Sequence, residues 1–367
     1  MAKERIVVKI GSSSLTNEKG EIDEEKLTEH VQAMAALREA NHEVVLVSSG
    51  AVAAGFRLLG YSSRPVTLKG KQAAAAIGQS LLIQRYMDKF QAYDLKVALL
   101  LLTRSDFSSQ ARYRNAFATI SELLERGIIP IINENDTVAV DELTFGDNDM
   151  LSALVSGFVH ADRLIILTDI NGIYDSNPRK NPQAQRYDFI EEVSAAMIEG
   201  TDESGSKVGT GGMRSKLLAA NTAISLGVPV FIGKGNGEKK LLEVLEEKGD
   251  GTYLGRFRQH GLNTRKQWIA LHSDIHGRIY VDNGAEEAIL YRGKSLLSPG
   301  ITKVEGTFQA GDVVEVIGAG EILGKGEVNC SSAVLMEVLQ THKPVTSQEV
   351  IHRNNWVTLK KEGEKKK

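Results

Sequence analysis

Short apolar runs separated by longer amphipathic segments dominate the first 230 residues. The runs cover residues 6–10, 44–48, 97–102, 128–133 and 164–168. Each is nearly continuous in Val, Ile and Leu rather than alternating with polar residues, which is typical of strands covered on both faces. The pattern therefore predicts an α/β fold, a three-layer αβα sandwich with a mainly parallel sheet between helices.

The segments between the runs predict helices. Asp23 has the chemistry of an N-cap for a helix that continues to about Ala40. Similar patterns extend from Leu68 to Lys89 and from Tyr113 to Arg126, and a shorter amphipathic segment covers Lys239 to Glu247. Strands and helices thus alternate, as a parallel sheet requires.

The pattern changes after a polar, glycine-containing segment at residues 249–265. Short strands with frequent turns follow, which indicates a small β-rich second domain. We predict a first domain over residues 1–258, a linker over 259–273, the β-rich domain over 274–355 and a basic tail over 356–367. Its last nine residues, LKKEGEKKK, are a charge run of the kind that stays solvated and disordered.

The amino-acid composition indicates which kinds of molecule the protein binds. Hydrophobic residues at 42% and charged residues at 25% fit an ordinary globular protein. A net charge of -3 gives no electrostatic case for nucleic acid or membranes, so a small-molecule partner is favoured. The single cysteine, Cys330, excludes an intrachain disulfide and fits a reducing compartment. Since the first apolar run is too short for a signal peptide or a membrane span, we expect a cytoplasmic protein.

Two segments combine a lysine with a loop of small residues. Lys9 ends the first run and is followed by Gly11 and three serines, and residues 209–216 read GTGGMRSK, with Lys216 inside the next helix. Backbone N–H groups in such loops can bind phosphate oxygens that a nearby ammonium group also reaches. The alternatives are a plain surface turn for the first segment and a flexible connector for the second.

Polar residues follow three further strands. Ser49 lies where the second strand meets a helix, which suits a carboxylate or phosphate or simply a helix N-cap. Residues 133–137 read NENDT, and this density of polar groups suits an amino acid, with Asp136 accepting from its ammonium group. A turn cluster is the alternative. Thr168 and Asp169 close the fifth strand, and the turn-rich loop that follows at residues 172–178 could line a nucleotide.

Carboxylates are concentrated in the segment GDND at residues 146–149. An excess of carboxylates beside a phosphate-binding loop implies magnesium, bound directly or through ordered basic residues. The alternative for Asp149 is a helix N-cap.

Taken together, these segments resemble the amino acid kinase family over nearly the whole chain. The resemblance is carried, in order and spacing, by VVKIGSSSLT, VSSGAVAAG, LLTRSDF, IIPIINENDTVA, GDNDMLSALV, LTDINGIYDSNPR and GTGGMRSK. They are most similar to the members that phosphorylate the side-chain carboxylate of glutamate. The C-terminal segment that begins GRIYVDNGAEEAILYRG resembles a PUA domain.

The resemblance assigns roles to the matching positions. It implies that catalysis depends on Lys9, Lys216 and Asp149, where Asp149 organises the two lysines and magnesium and Asp147 lies close by. It implies that glutamate contacts Ser49, Asp136 and Asn148. The implied ATP contacts are Lys9, Thr168, Asp169, Thr210, Gly211, Gly212, Met213, Arg214, Ser215 and Lys216.

The resemblance also implies cofactors and partners. ATP and Mg²⁺ would serve the first step of proline biosynthesis, which makes L-glutamyl 5-phosphate, and proline would be a feedback inhibitor. We expect a homodimer or homotetramer and a transient contact with the reductase that consumes the product. We do not expect binding to RNA or to membranes.

The sequence leaves two alternative functions. One is that of a family member acting on aspartate, acetylglutamate or a nucleoside monophosphate, and the other is that of an RNA-binding regulator. The segment INENDTVA and the C-terminal module argue against the first, and both lysines with the acidic loops argue against the second.

The chemistry of the acceptor removes the need for a general base. A side-chain carboxylate has a reference pKa of about 4.3, so it is already ionised at neutral pH. The site must instead supply positive charge and alignment, and Lys9 and Lys216 are the candidates. None of the eight histidines is needed, and we expect His30, His42 and His160 to be surface or boundary residues.

Overall fold

The computed structural model describes residues 2–138, 148–178, 180–201, 212–256, 269, 273, 275–341 and 349–358. The chain divides into two compact units, Met1–Asp106 with Arg114–Gly261, and Phe107–Tyr113 with Leu262–Lys367. The linker predicted over residues 259–273 falls mostly outside the described residues, so the predicted domain boundaries stay predictions. In the described part of the chain, no helix has both the length and the apolar character that crossing a membrane requires.

The described residues before position 257 contain one eight-stranded sheet. Its strands are β1 (Arg5–Ile10), β2 (Glu43–Ser48), β3 (Val97–Leu102), β4 (Ile129–Glu134), β5 (Arg163–Leu167), β6 (Phe189–Ile190), β7 (Val230–Gly233) and β8 (Gly251–Leu254). The spatial order is β3-β4-β2-β1-β5-β7-β8-β6. Neighbouring strands are parallel except for β7 and β8, so the prediction of a mainly parallel sheet is confirmed.

Helices fill the connections between these strands. They are α1 (Ser12–Leu15), α2 (Glu24–Glu39), α3 (Ala51–Gly55), α4 (Leu68–Gln91), α5 (Arg104–Ser108), α6 (Gln110–Glu125), α7 (Asn148–Phe158), α8 (Ala195–Glu199), α9 (Met213–Ser225) and α10 (Lys240–Leu245). Asp23 caps α2 as predicted, because its side chain accepts hydrogen bonds from the backbone N–H groups of Glu25 and Lys26.

The apolar runs form the interior of the sheet. Every residue of β4 is buried, as are all residues of β1 and β2 after the first. The exception is β3, where five of six residues are only partly buried. β3 lies at the end of the strand order and pairs with β4 alone, and its side chains are less buried than its continuous apolar run predicts. An apolar run shows that a strand forms but does not show where it lies in the sheet.

Helices α3 and α4 approach each other closely. A methyl group built on Gly78 of α4 would overlap the carbonyl oxygen of Ala51, and one on Gly55 of α3 would overlap that of Ala74. Only glycine permits this separation between the two backbones. Because α3 directly follows β2, the contact fixes the residues at the end of β2 against α4.

The second unit contains a five-stranded sheet, in the order β11-β9-β12-β13-β15, and a two-stranded sheet of β10 and β14. These strands are β9 (Ile275–Val281), β10 (Leu296–Leu297), β11 (Ile301–Gly306), β12 (Val313–Gly318), β13 (Glu321–Glu327), β14 (Glu349–Ile351) and β15 (Trp356–Thr358). Helices Asn283–Tyr291 and Ser332–Thr341 accompany them. Phe308, Val314 and Val316 lie in the core of this unit. The β-rich character predicted for it is confirmed.

Candidate active site

The carboxyl ends of the central strands are aligned by register. Ile10 at the end of β1 pairs with Ser48 of β2 on one side and with Leu167 of β5 on the other. Residues that follow these strands therefore meet at one edge of the sheet, which is where open α/β sheets bind ligands. Helix α7 begins at this edge and packs against β1, β2, β4 and β5.

A buried cluster of two lysines and one aspartate lies at this edge. Lys9 projects from β1 and binds Asp149 Oδ1, and Lys216 from the first turn of α9 donates to Asp149 Oδ2 at 2.9 Å. The Asp149 side chain is fully buried, and both lysines are buried as well. Ser215 Oγ also donates to Asp149 Oδ2, at 3.3 Å. Three segments distant in sequence thus converge on one carboxylate.

The electrostatics of Asp149 follow from its two partners. Burial by itself would raise the pKa of the Asp149 carboxyl, but the ammonium groups of Lys9 and Lys216 outweigh burial and hold this pKa well below its usual range. The cluster therefore combines one carboxylate with two ammonium groups and has an excess of one positive charge. Such an excess in a buried place favours an anionic ligand.

A second cluster joins Ser49 and Asn148. Asn148 Nδ2 lies 2.8 Å from Ser48 O, 2.9 Å from Ser49 Oγ and 3.0 Å from Asn133 Oδ1, and its two hydrogens are shared among these three acceptors. Asn148 precedes Asp149 directly, so the polar cluster and the charged cluster are adjacent at the start of α7. The structure thus brings together two of the three residues predicted to bind the substrate.

Asp136, the third predicted substrate residue, lies just beyond the end of β4 and is partly buried. Burial raises the pKa of its carboxyl to about 6. The group is therefore ionised at neutral pH but becomes protonated in mildly acidic solution, which provides a measurable signature for its role.

The predicted nucleotide residues follow β5 and precede α9. Thr168 is buried, its N–H donates to Gly233 O, and its hydroxyl donates to Asp169 Oδ1 at 3.2 Å. Gly212 caps α9 and Met213 is its first residue; Arg214 is exposed. Thr210, Gly211 and Asp147 lie outside the described residues.

The small-residue loop predicted after Lys9 is a short helical turn, α1, rather than an open loop. A methyl group on Gly11 would lie 3.2 Å from Lys9 Nζ, so glycine leaves room for this ammonium group. His30 of α2 reaches the same turn, since its Nε2 lies 3.0 Å from Ser14 O. The expectation that His30 and His42 are surface or boundary residues is wrong, because both are buried. Burial, assisted by Lys240, lowers the pKa of His30 to about 4.

Comparison with known proteins agrees with this geometry. The model of the amino acid kinase family matches residues 4–234, which is more than half of the chain. The chain belongs to the amino acid kinase family. The PUA domain model matches residues 277–351, within the β-rich second unit.

Curated relatives of this amino acid kinase match it over nearly their full length. A protein of Oceanobacillus iheyensis named glutamate 5-kinase is 62% identical over 98% of both chains. A protein of Bacillus subtilis named glutamate 5-kinase 1 is 59% identical over 98% of this chain and 100% of its own. Among solved structures, a carbamate kinase from Giardia lamblia bound to AMP-PNP superimposes with a TM-score of 0.52 at 17% identity, covering 70% of this chain and 99% of its own. At that identity the superposition supports the fold alone.

Two buried residues at the site of this amino acid kinase have roles that were not predicted. Gln79 of α4 accepts from Asn133 Nδ2 at 2.9 Å, and Tyr86 of α4 shares a hydrogen bond of 2.9 Å with Ser48 Oγ. A signal for Gln79 is present in the sequence. It occupies the same helical face as Ala75, Leu82 and Tyr86, so a polar residue falls where the helix pattern requires an apolar one.

The side chains available as metal ligands indicate where magnesium would bind. The described residues contain no group of three or more acidic, histidine or cysteine side chains that could hold a metal ion. Mg²⁺ in kinases commonly takes one or two carboxylates together with substrate phosphates and water. Asp149 already binds two ammonium groups, so its geometry fits a residue that orders the lysines.

Proposed function

We propose that this amino acid kinase transfers the γ-phosphoryl group of ATP to the side-chain carboxylate of L-glutamate. The product would be L-glutamyl 5-phosphate, and the step would be the first of proline biosynthesis in the cytoplasm. The chemistry is carried by one observation, the Asp149 carboxylate that holds Lys9 and Lys216 together at the sheet edge. The substrate is supported by relatives named glutamate 5-kinase at 62% and 59% identity.

The reaction requires charge neutralisation rather than proton transfer. A side-chain oxygen of glutamate forms a bond to the γ-phosphorus while the bond from this phosphorus to the bridging oxygen of ADP breaks. Because the carboxylate is ionised at neutral pH, no proton has to be removed. The barrier arises from bringing an anionic nucleophile to a polyanionic donor, and fixed positive groups lower it.

Lys9 and Lys216 supply this positive charge. Their ammonium groups bind oxygens of the transferring and leaving phosphates, and Asp149 keeps both groups at one point so that they need no reorganisation during transfer. Thr168, Asp169 and the segment from Thr210 to Lys216 contact ATP. Magnesium bound to the nucleotide phosphates would neutralise further charge there, with Asp149 acting through the lysines and Asp147 as a second candidate ligand.

The remaining site residues bind the amino acid. Ser49 and Asn148 are already joined by a hydrogen bond at the start of α7, so they present one preorganised surface. Asp136 is ionised at neutral pH and accepts from the ammonium group of glutamate. The proposal further includes a dimer or tetramer, inhibition by proline and transient contact with the reductase that consumes the product.

An ADP-release assay across a panel of acceptors tests this function. The panel contains L-glutamate, L-aspartate, N-acetyl-L-glutamate and uridine monophosphate, and hydroxylamine captures any acyl phosphate as a hydroxamate. We expect hydroxamate with L-glutamate. Lys216→Met should abolish it, whereas Lys248→Met, at an exposed ion pair with Glu246, should not. ADP release that is fastest with another acceptor, or release without hydroxamate, would refute the proposed substrate.

A further inference from the structure

Three carboxamide side chains form a continuous hydrogen-bonded chain at the sheet edge. Gln79 of α4 accepts from Asn133 Nδ2, and Asn133 Oδ1 accepts from Asn148 Nδ2. Gln79 is 8% exposed and Asn133 is 2% exposed, so neither can rely on water for these bonds. The described contacts fix which end of each amide donates.

The orientation of Asn133 is set by the backbone. Its Oδ1 accepts from the N–H of Glu134 at 2.9 Å, and a backbone N–H can only donate. A flipped amide would place Nδ2 against this N–H, donor against donor. Asn133 Nδ2 must therefore point away from Glu134, and Gln79 Oε1 is the acceptor that satisfies it.

The orientation of Asn148 is set in the same way. Its Nδ2 lies within 3.0 Å of Ser48 O and Asn133 Oδ1, both of which can only accept. A flip would bring Asn148 Oδ1 against two acceptors. The remaining atom, Asn148 Oδ1, is thus a buried acceptor, and among the described residues it has no hydrogen-bond partner.

A buried acceptor without a donor is costly, so the ligand of this site should bring one. The carboxylate groups of an amino acid and the phosphate groups of a nucleotide are acceptors, and they would be repelled by Asn148 Oδ1. The ammonium group of an amino acid has three donors, so it can bind Asp136 and a second acceptor together.

We propose that Asn148 Oδ1 accepts a hydrogen bond from the ammonium group of the substrate, and that Gln79 is the positioning residue that maintains this arrangement through Asn133. Gln79 would then determine selectivity for an amino acid over the corresponding acid without an amino group. This inference rests on the proposed function, since it concerns the glutamate site.

The test compares L-glutamate with glutarate, which lacks only the ammonium group. Gln79→Met keeps the length of the side chain and removes the acceptor. Gln84→Met, on the same helix, removes an exposed glutamine that bonds Asp88 and serves as the matched control. We expect Gln79→Met to lower kcat/KM for L-glutamate by about tenfold, corresponding to about 1.4 kcal/mol. The value for glutarate and the KM for ATP should be unchanged, and Gln84→Met should match the wild type.

Two outcomes of the kinetic comparison would overturn the inference. An equal fall for both acids would show that Gln79 merely supports the fold, and an unchanged preference for L-glutamate would show that it does not position Asn148. Isothermal titration with the two acids measures the same selectivity without turnover. In a further outcome, the chain binds L-glutamate selectively, Gln79→Met weakens this binding, and yet the chain does not phosphorylate L-glutamate. That result would refute the proposed function and support this inference. A wild-type chain that binds neither acid would refute both.

Discussion

The Asp149→Asn substitution tests the charged cluster because it keeps the size of the side chain and removes its charge. In the wild type, Lys9 and Lys216 bind different oxygens of this fully buried carboxylate. In the variant, the two ammonium groups remain buried without their shared counter-charge. Removing one partner of a buried ion pair commonly costs about 3–5 kcal/mol.

A Coulomb estimate of the lost attraction gives an upper limit. Each contact between an ammonium group and the carboxylate, at about 3 Å, contributes about 5 kcal/mol at an effective dielectric constant near 20. The cost of burying the carboxylate offsets part of this attraction, so we take a net loss of about 3 kcal/mol. For a domain of this size, each kcal/mol lowers the melting temperature by about 2–4 °C, so we expect a decrease of about 6–12 °C. Displacement of either lysine by about 1 Å should also lower kcat by about 100-fold.

The assay is thermal unfolding with and without magnesium-ATP, followed by steady-state turnover. Because nucleotide phosphates supply the missing negative charge, ATP should raise the melting temperature of Asp149→Asn more than that of the wild type. Glu122→Gln is the control, since it removes the charge of an exposed ion pair with Arg126 and should have little effect. A variant with wild-type stability and turnover would refute the view that Asp149 holds the two lysines in place.

Three further predictions concern residues around the site. Asp136 must be ionised to bind the ammonium group, and its pKa is about 6. The kcat/KM for L-glutamate should therefore fall about tenfold between pH 7 and pH 5. In Asp136→Asn, kcat/KM should be low at every pH and should not change over this range. Parallel pH profiles for the two proteins would contradict the role of Asp136 in binding the ammonium group. Gly78→Ala should destabilise the fold by about 1–3 kcal/mol and raise the KM for L-glutamate more than that for ATP, because the new methyl group pushes α3 away from α4. Ser80→Ala, exposed on the same helix, should do neither. The third concerns buried His30, whose lowered pKa favours its neutral form in the folded state. Its stabilising contribution is complete above pH 6.5 and is lost as the pH falls toward about 4. The wild type should lose about 2 kcal/mol more than His30→Leu between pH 7 and pH 5, and equal losses in thermal melts would argue against this pKa.

Much of the first unit follows from local pattern. The runs at residues 6–10 and 44–48 begin one residue after β1 and β2 and end with them, because continuous branched apolar residues have few alternatives to a buried strand. Asp23 marks the start of α2 because its side chain satisfies N–H groups that the helix leaves unpaired. These features depend on neighbours in sequence, so the sequence alone reveals them.

Features that depend on residues distant in sequence could not be predicted from local patterns. The partial burial of β3 depends on which strands lie beside it, and the burial of His30 depends on elements far along the chain. The roles given to Lys9, Lys216 and Asp149 came from the family resemblance, and their contacts follow from the topology that packs α7 against β1 and α9 against α7. Gln79 acts through Asn133, a contact between residues 54 positions apart that no local motif encodes.

The joint action of Lys9 and Lys216 is tested most directly by the rate of a single turnover with ATP bound. Lys9→Met, Lys216→Met and the double variant are compared at saturating ATP and L-glutamate, with ATP affinity measured separately. We expect each single variant to slow phosphoryl transfer by at least about 100-fold, and the double variant to be little slower than the worse single one. Transfer at close to the wild-type rate in either single variant would contradict the account.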